Sequence, residues 1–196
     1  MKLFLANINE VTEEHLELIS PERREQALRY RFSADRRRSI AAGLLLRRFL
    51  GGYEIVTDAF GKPRAVGGAC FNLSHSGDWV LMALSDREVG CDIEQIKQVD
   101  PLRLGKVVFT ENELAVIRES RDRIGCFFDF WTKKEALLKC MGKGFHRAAK
   151  SVEVCEDSFS EGEAEYSIST RRFADYTVSV CVCGGSAAFK TERIHF

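Results

Sequence analysis

Polar and apolar positions alternate from Lys2 to Ile8, which predicts an opening strand. Thr12 is placed to cap a short helix over Glu13–Ile19. Ser20-Pro21-Glu22 sets a capping serine, a proline for the first helical position and an acid at the positive end of the helix dipole, so a helix is expected to start there. A second helix is expected from Ser33-Ala34-Asp35, with Ile40, Leu44 and Leu45 on its apolar stripe and Gly51-Gly52 as its stop. Strands are predicted over Tyr53–Thr57, Cys70–Leu73, Trp79–Leu84 and Val89–Glu94. The turns between them fall at Gly61-Lys62-Pro63, Ser76-Gly77-Asp78 and Ser85–Glu88.

Gln95–Pro101 is polar and has no periodicity, so it reads as a link. Helices are predicted beyond it at about Glu111–Ser120 and Cys126–Met141. Strands follow near Val152–Cys155, Glu163–Ser169, Tyr176–Cys183 and Ala187–Thr191. Each half is therefore helices followed by a run of strands, an order that implies α+β and not α/β. Two similar α+β halves are expected, residues 1–97 and 98–196, with a ligand cleft between them.

Composition narrows the class. The chain has 196 residues, 45% hydrophobic and 30% charged, long enough to bury a core without disulfide or structural metal. Net formal charge is zero, so bulk charge argues for no polyanionic partner. Locally the picture differs. Residues 21–50 carry nine arginines against three acids, a balance of +6, whereas Ser151–Tyr166 is acidic. The arginines suit phosphates, or simply a solvated helix face. Seven scattered cysteines with no CxxC pair fit a reducing compartment. No secretory signal is expected, and no apolar run approaches the roughly 20 residues that span a bilayer. A cytoplasmic protein is expected.

Candidate chemistry lies in three places. Asp92 and Glu94, two apart on a strand, share a face, while Cys91 and Ile93 point to the core. Adjacent carboxylates repel unless a cation lies between them, and oxygen donors favour Mg²⁺ or Mn²⁺ over zinc. The alternative is an exposed acidic strand face. Trp131, Glu135 and Lys139 share one helical stripe, where Glu135 and Lys139 read equally as a surface ion pair worth a few tenths of a kcal/mol. Gly142-Lys143-Gly144 ends that helix and permits close backbone approach. Asn72-Leu73-Ser74-His75-Ser76 closes a strand with hydroxyls and an imidazole, suited to a phosphate or to a satisfied turn.

In order and spacing, Phe71 to Ser76, Gly90 to Glu94, Phe130 to Lys139 and Gly142 to Gly144 resemble the 4′-phosphopantetheinyl transferases, in the two-halved type that activates peptide and polyketide synthetases. The resemblance runs from about Ser20 to about Phe145. It implies two halves related by pseudo-two-fold symmetry and an active site between them. It implies that Asp92, Glu94 and Glu135 hold Mg²⁺ against the pyrophosphate of coenzyme A and that Lys139 contacts its phosphates. Arg23, Arg38, Ser39, Lys62, Ser74 and His75 are implied to bind the nucleotide end and its 3′-phosphate. Gln26 departs from the basic residue usual in the family. Glu113 matches an acid considered as an additional base beside Glu135.

The implied reaction moves the phosphopantetheine arm of coenzyme A to a serine hydroxyl of an apo acyl or peptidyl carrier protein and releases 3′,5′-ADP. Asp92, Glu94, Glu135 and Lys139 carry it, and a monomer with no nucleic-acid or membrane partner is expected. Two alternatives stay open: a metal-dependent coenzyme A or nucleotide pyrophosphatase, and a nucleic-acid-binding module built on the arginine-rich helices.

Overall fold

The computed structural model of the chain describes residues 1–142 and 149–196. Lys143 and Gly144, expected to form the glycine exit of the helix that carries Glu135 and Lys139, lie outside the described residues. In chain order the elements are β1 (Lys2–Asn7), α1 (Pro21–Leu28), α2 (Ser33–Leu50), β2 (Ile55–Thr57), β3 (Pro63–Ala65), β4 (Cys70–Ser76), β5 (Trp79–Ser85) and β6 (Val89–Gln95). They continue with α3 (Pro101–Val108), α4 (Glu111–Glu119), α5 (Arg123–Met141), β7 (Ser158–Glu161), β8 (Ala164–Phe173), β9 (Tyr176–Cys183) and β10 (Lys190–Ile194).

This is the α+β class expected, arranged as two four-stranded sheets, β10-β1-β5-β4 and β6-β9-β8-β7, with a separate two-stranded sheet of β2 and β3. β10 joins β1 in parallel, and the other neighbours are antiparallel. The two sheets do not divide at residue 97. β6 ends the first stretch of chain yet pairs with β9 in the second sheet, and β10 returns from the far end to edge the first. Each stretch thus lends a strand to the other.

Three apolar cores make the layers. Ile40, Leu44 and Leu45 of α2 pack on Phe4, Phe71, Val80 and Met82 of the first sheet. Leu3, Leu5, Leu81 and Ala83 of that sheet meet Cys91, Ile93, Val178 and Val180 of the second. On the outer face of the second sheet, Phe130, Leu137 and Cys140 of α5 pack with Phe109, Ile117 and Ile168. Burial of each large side chain contributes roughly 1.5–3 kcal/mol, which holds the layers in place.

Local signals account for much of this. The Ser20 hydroxyl accepts from Arg23 N at 3.3 Å and Pro21 opens α1. At α2 the capping position is Phe32, without a side-chain cap, so Ser33 starts the helix from inside. The short helix expected over Glu13–Ile19 is a 3-10 helix over Glu13–Leu18. At the end of the expected link begins a helix that was not expected, α3, whose start is capped by Asp100 with Pro101 as its first residue. No helix among the described residues is long and apolar enough to cross a membrane.

Val152–Cys155 is not a strand, and the reason is a buried ion pair. Lys134 and Glu113 meet at 2.8 Å with side chains 1% and 0% exposed. Lys134 Nζ also donates to the carbonyls of Ala149 and Val152, and Glu113 Oε1 accepts from Val154 N. The backbone groups a strand would need are taken by these side chains. Glu113 Oε2 accepts from Thr110 N in a capping box that starts α4. Both carboxylate oxygens of Glu113 are thus engaged in structure, which takes it out of contention as a base. Leaving one member of such a pair alone strands a buried charge. Glu113→Ala is expected to lower unfolding free energy by about 3–5 kcal/mol in denaturant titration. A loss under about 1 kcal/mol would contradict this role.

Candidate active site

The two sheets meet along β4 and β6, which run parallel but share no backbone ladder. Side chains do the pairing. Asn72 Oδ1 accepts from Cys91 N at 2.9 Å, Ser74 Oγ from Ile93 N at 3.4 Å and Ser76 Oγ from Gln95 N at 3.1 Å. Strand alternation puts these three residues on one face of β4, and Phe71, Leu73 and His75 on the other. The expected strand end at Leu73 therefore extends to Ser76, because the hydroxyls bond another strand and do not turn to solvent.

Each hydroxyl then spends its proton on a carboxylate. Ser74 Oγ donates to Asp92 Oδ1 at 2.7 Å, and Ser76 Oγ donates to Glu94 Oε2 at 2.6 Å. Asp92 is 3% exposed and Glu94 half-buried. As expected, Cys91 and Ile93 point the opposite way, into the core between the sheets.

Helix α5 covers this face. Lys139 Nζ donates to Asp92 Oδ1 at 2.6 Å and to Ser74 Oγ and the Cys91 carbonyl, both at 3.3 Å. Lys139 is thus bonded across the join and not to Glu135 one turn earlier. Burial would depress the Lys139 ammonium, but the Asp92 carboxylate outweighs it and raises the pKa above the ordinary value. Burial raises Glu135, partly offset by Lys139 and augmented by Asp92. Burial also raises Glu94; the Ser76 hydrogen bond opposes that rise and the Asp92 charge adds to it.

The axial position of α5 is fixed by polar contacts on the same sheet face. The Thr132 and Ser179 hydroxyls are 2.8 Å apart, and Arg172 forks onto both oxygens of Asp129, at 2.9 and 2.6 Å. Gly90 fixes the separation of helix and strand. A Cβ there would overlap the Ala136 carbonyl oxygen and the Cys140 nitrogen. Only glycine lets the α5 backbone lie directly on β6.

Among the described residues no three acidic, thiol or imidazole groups are gathered at a spacing ready to hold a metal. Asp92, Glu94 and Glu135 face one region but do not form a preassembled cluster. The donor set nevertheless fits a hard cation. Asp92 Oδ2 is buried with no hydrogen-bond partner, a costly state for a carboxylate oxygen that a cation would relieve.

The other residues divide. Arg23 lines a cavity of about 740 Å³ with Ser20, Tyr53, Gly61, Phe71 and Leu73, and burial lowers its pKa. Its guanidinium donates to Gln26 at 2.8 Å, so the position lacking the expected basic residue is a neighbour of Arg23. The Ser39 hydroxyl is buried without a partner. Arg38 donates to the Gly77 carbonyl at 2.9 Å and to Asp35 at 2.6 Å. His75 and Ser74 point to opposite faces of β4, so they do not act as a pair. Burial lowers the His75 pKa, with Arg38 and Lys139 adding to the effect.

Lys62 departs most from expectation. Its side chain is 7% exposed, and Nζ donates to Glu88 at 2.8 Å, the Val89 carbonyl at 3.1 Å and the Cys140 carbonyl at 3.3 Å. It is a strut against the carbonyl end of α5, where a cation is favoured. The arginine-rich segment is partly compensated: four of its nine arginines, Arg24, Arg29, Arg36 and Arg38, are paired with Glu17, Glu25, Glu13 and Asp35. That arrangement weakens the nucleic-acid reading. Asn72, Ser76 and Gly90 are the residues that motif spacing does not assign. The polar period-two run Asn72, Ser74, Ser76 beside apolar Phe71 and Leu73 was the signal for the first two.

A family model described as the 4′-phosphopantetheinyl transferase superfamily matches residues 88–183. The chain is 30% identical over 157 residues to the 4′-phosphopantetheinyl transferase Sfp of Bacillus subtilis (strain 168), covering 74% of this chain and 70% of that protein. It is 37% identical over 138 residues to 4′-phosphopantetheinyl transferase psf-1 of Bacillus pumilus, covering 64% and 59%. It is 31% identical over 140 residues to 4′-phosphopantetheinyl transferase gsp of Aneurinibacillus migulanus, covering 65% and 58%. The chain thus spans somewhat under two thirds of the length of the last two.

Gly90→Ala is expected to force α5 off β6 and cost about 1–3 kcal/mol of stability, measured by denaturant unfolding. Wild-type stability in that variant would refute the close approach.

Proposed function

The chain belongs to the 4′-phosphopantetheinyl transferase superfamily, and from that premise we propose that it transfers the 4′-phosphopantetheine arm of coenzyme A to a serine of an apo acyl or peptidyl carrier protein. The observation that carries the proposal is the cross-join contact of Lys139 with Asp92 beside an unpartnered Asp92 oxygen. It sets a cation and a vacant anionic donor side by side, as a pyrophosphate substrate requires.

In the reaction the carrier serine oxygen attacks the β-phosphorus of coenzyme A. The new ester bond forms as the bond to the bridging oxygen breaks, and 3′,5′-ADP leaves. Asp92, Glu94 and Glu135 would hold a divalent cation, Mg²⁺ or Mn²⁺, which when bound supplies charge neutralisation at the pyrophosphate. Lys139 offsets the negative charge that develops on the phosphoryl and leaving oxygens, and desolvation strengthens that effect. Glu135 is assigned as the acceptor of the serine proton, directly or through a water, because it lies on α5 one turn before Lys139. Positioning of the two substrates supplies the remainder of the rate.

The cavity beside Arg23 is assigned to the nucleotide end of coenzyme A, and Arg38, Ser39 and His75, which lie outside its lining, are assigned to the phosphates. Ser74 and Lys62 act through the frame: Ser74 orients Asp92, and Lys62 braces α5. All seven cysteines are free thiols, which supports a reducing compartment such as the cytoplasm. A single chain supplies every residue of the site, which supports a monomer.

Purified protein with coenzyme A, Mg²⁺ and an apo carrier, followed by mass spectrometry, is expected to give modified carrier and 3′,5′-ADP together. Release of 3′,5′-ADP with unmodified carrier would replace the transferase by a pyrophosphatase. Asp92→Ala and Glu135→Ala are each expected to lower turnover at least about 100-fold with the fold intact by circular dichroism. Full activity in either variant removes that residue from the mechanism.

A further inference from the structure

We infer that Ser76 is a positioning residue for Glu94, setting that carboxylate for a divalent cation; the inference rests on the cation-holding reading of the site. Ser76 has one hydroxyl proton and its lone pairs to offer. A lone pair accepts from Gln95 N at 3.1 Å, and this fixes the rotor against the backbone of β6. The proton then lies on Glu94 Oε2 at 2.6 Å, a short, charge-assisted bond. Gln95 follows Glu94 directly, so the serine grips the carboxylate and the adjacent backbone at once.

The same device stands one repeat away. Ser74 accepts from Ile93 N and donates to Asp92 Oδ1. Two residues apart on β4 therefore answer two residues apart on β6. Lys139 is a second donor to Asp92 Oδ1, whereas Ser76 is the only donor the described contacts give Glu94. Ser76 thus bears more of the orientation of its carboxylate than Ser74 does of Asp92. With Oε2 engaged, Oε1 of Glu94 is left for a cation, just as Oδ2 of Asp92 is left by its own partners. Partners behind a ligand usually change metal affinity 10- to 100-fold when lost.

The end of β4 is built to keep Ser76 in place. Gly77 has φ of 53° and opens the turn, and a Cβ there would overlap the Tyr176 hydroxyl and meet Gln95 Oε1 at 2.9 Å. Asp78 N donates to the Tyr176 hydroxyl at 3.1 Å, and Arg38 donates to the Gly77 carbonyl. The turn is pinned from two sides immediately after the serine.

The test compares Ser76→Thr with Ser76→Val, which have the same shape and differ in the hydroxyl. Binding of Mn²⁺ is followed by electron paramagnetic resonance with coenzyme A saturating and no carrier present, so no turnover occurs. Ser76→Thr is expected to stay within about threefold of wild type and Ser76→Val to weaken Mn²⁺ binding tenfold or more. In a Glu94→Gln background, Ser76→Val is expected to cost nothing further, since its effect runs through Glu94. Equal binding by the Thr and Val variants would overturn the inference, as would an equal loss in both backgrounds. Thermal unfolding without metal identifies any variant that fails to fold, and the Thr variant alone then decides: weak binding in a folded Thr variant overturns the inference. Absence of Mn²⁺ binding in the wild type would instead overturn the cation-holding reading itself.

Discussion

Two strands lie parallel at the join of this molecule with no backbone ladder between them, and side chains of one must satisfy the backbone of the other. That constraint orders the rest of the structure. Asn72, Ser74 and Ser76 give β6 the acceptors its N–H groups need. The serine hydroxyls have a proton left over, and carboxylates on β6 take it. Asp92 and Glu94 are those carboxylates. Closure of the fold and orientation of the acids are one set of hydrogen bonds.

The second wall depends on how near α5 can come. Gly90 removes the side chain that would keep the helix away, while Thr132 and Asp129 set it along the sheet. Lys139 then reaches Asp92, and Glu135 sits one turn back on the same helix. Lys62 and the Lys134–Glu113 pair brace the same helix from its end and its far side. Lys62, Lys134 and Glu113, which look like surface charges along the chain, are internal supports of one helix.

Local rules made part of this legible. β9 has the expected bounds, α1 starts at its capping serine, and the strand parity of Asp92 and Glu94 put them together on one face. What escaped was non-local. Nothing near Val152 says that a lysine from α5 will take its carbonyl. Nothing near Lys190 says that β10 will cross to β1. Other features were written locally but carried a competing meaning. Thr110 with Glu113 is a capping box that also resembles a catalytic acid, and Asp100-Pro101 is a helix start inside a polar link. Ser74 and His75 are neighbours in a motif, yet parity sends them to opposite faces.

The central proposal is that acids from β6 and α5 would hold a single cation across the join, with Lys139 on the phosphates beside it. A crystal of the protein with coenzyme A and Mn²⁺, measured at the manganese absorption edge, addresses it directly. The account expects one anomalous peak in ligand contact with Asp92, Glu94 and Glu135, with the Lys139 ammonium on the pyrophosphate. A manganese peak away from these acids, with Lys139 still on Asp92, would contradict it.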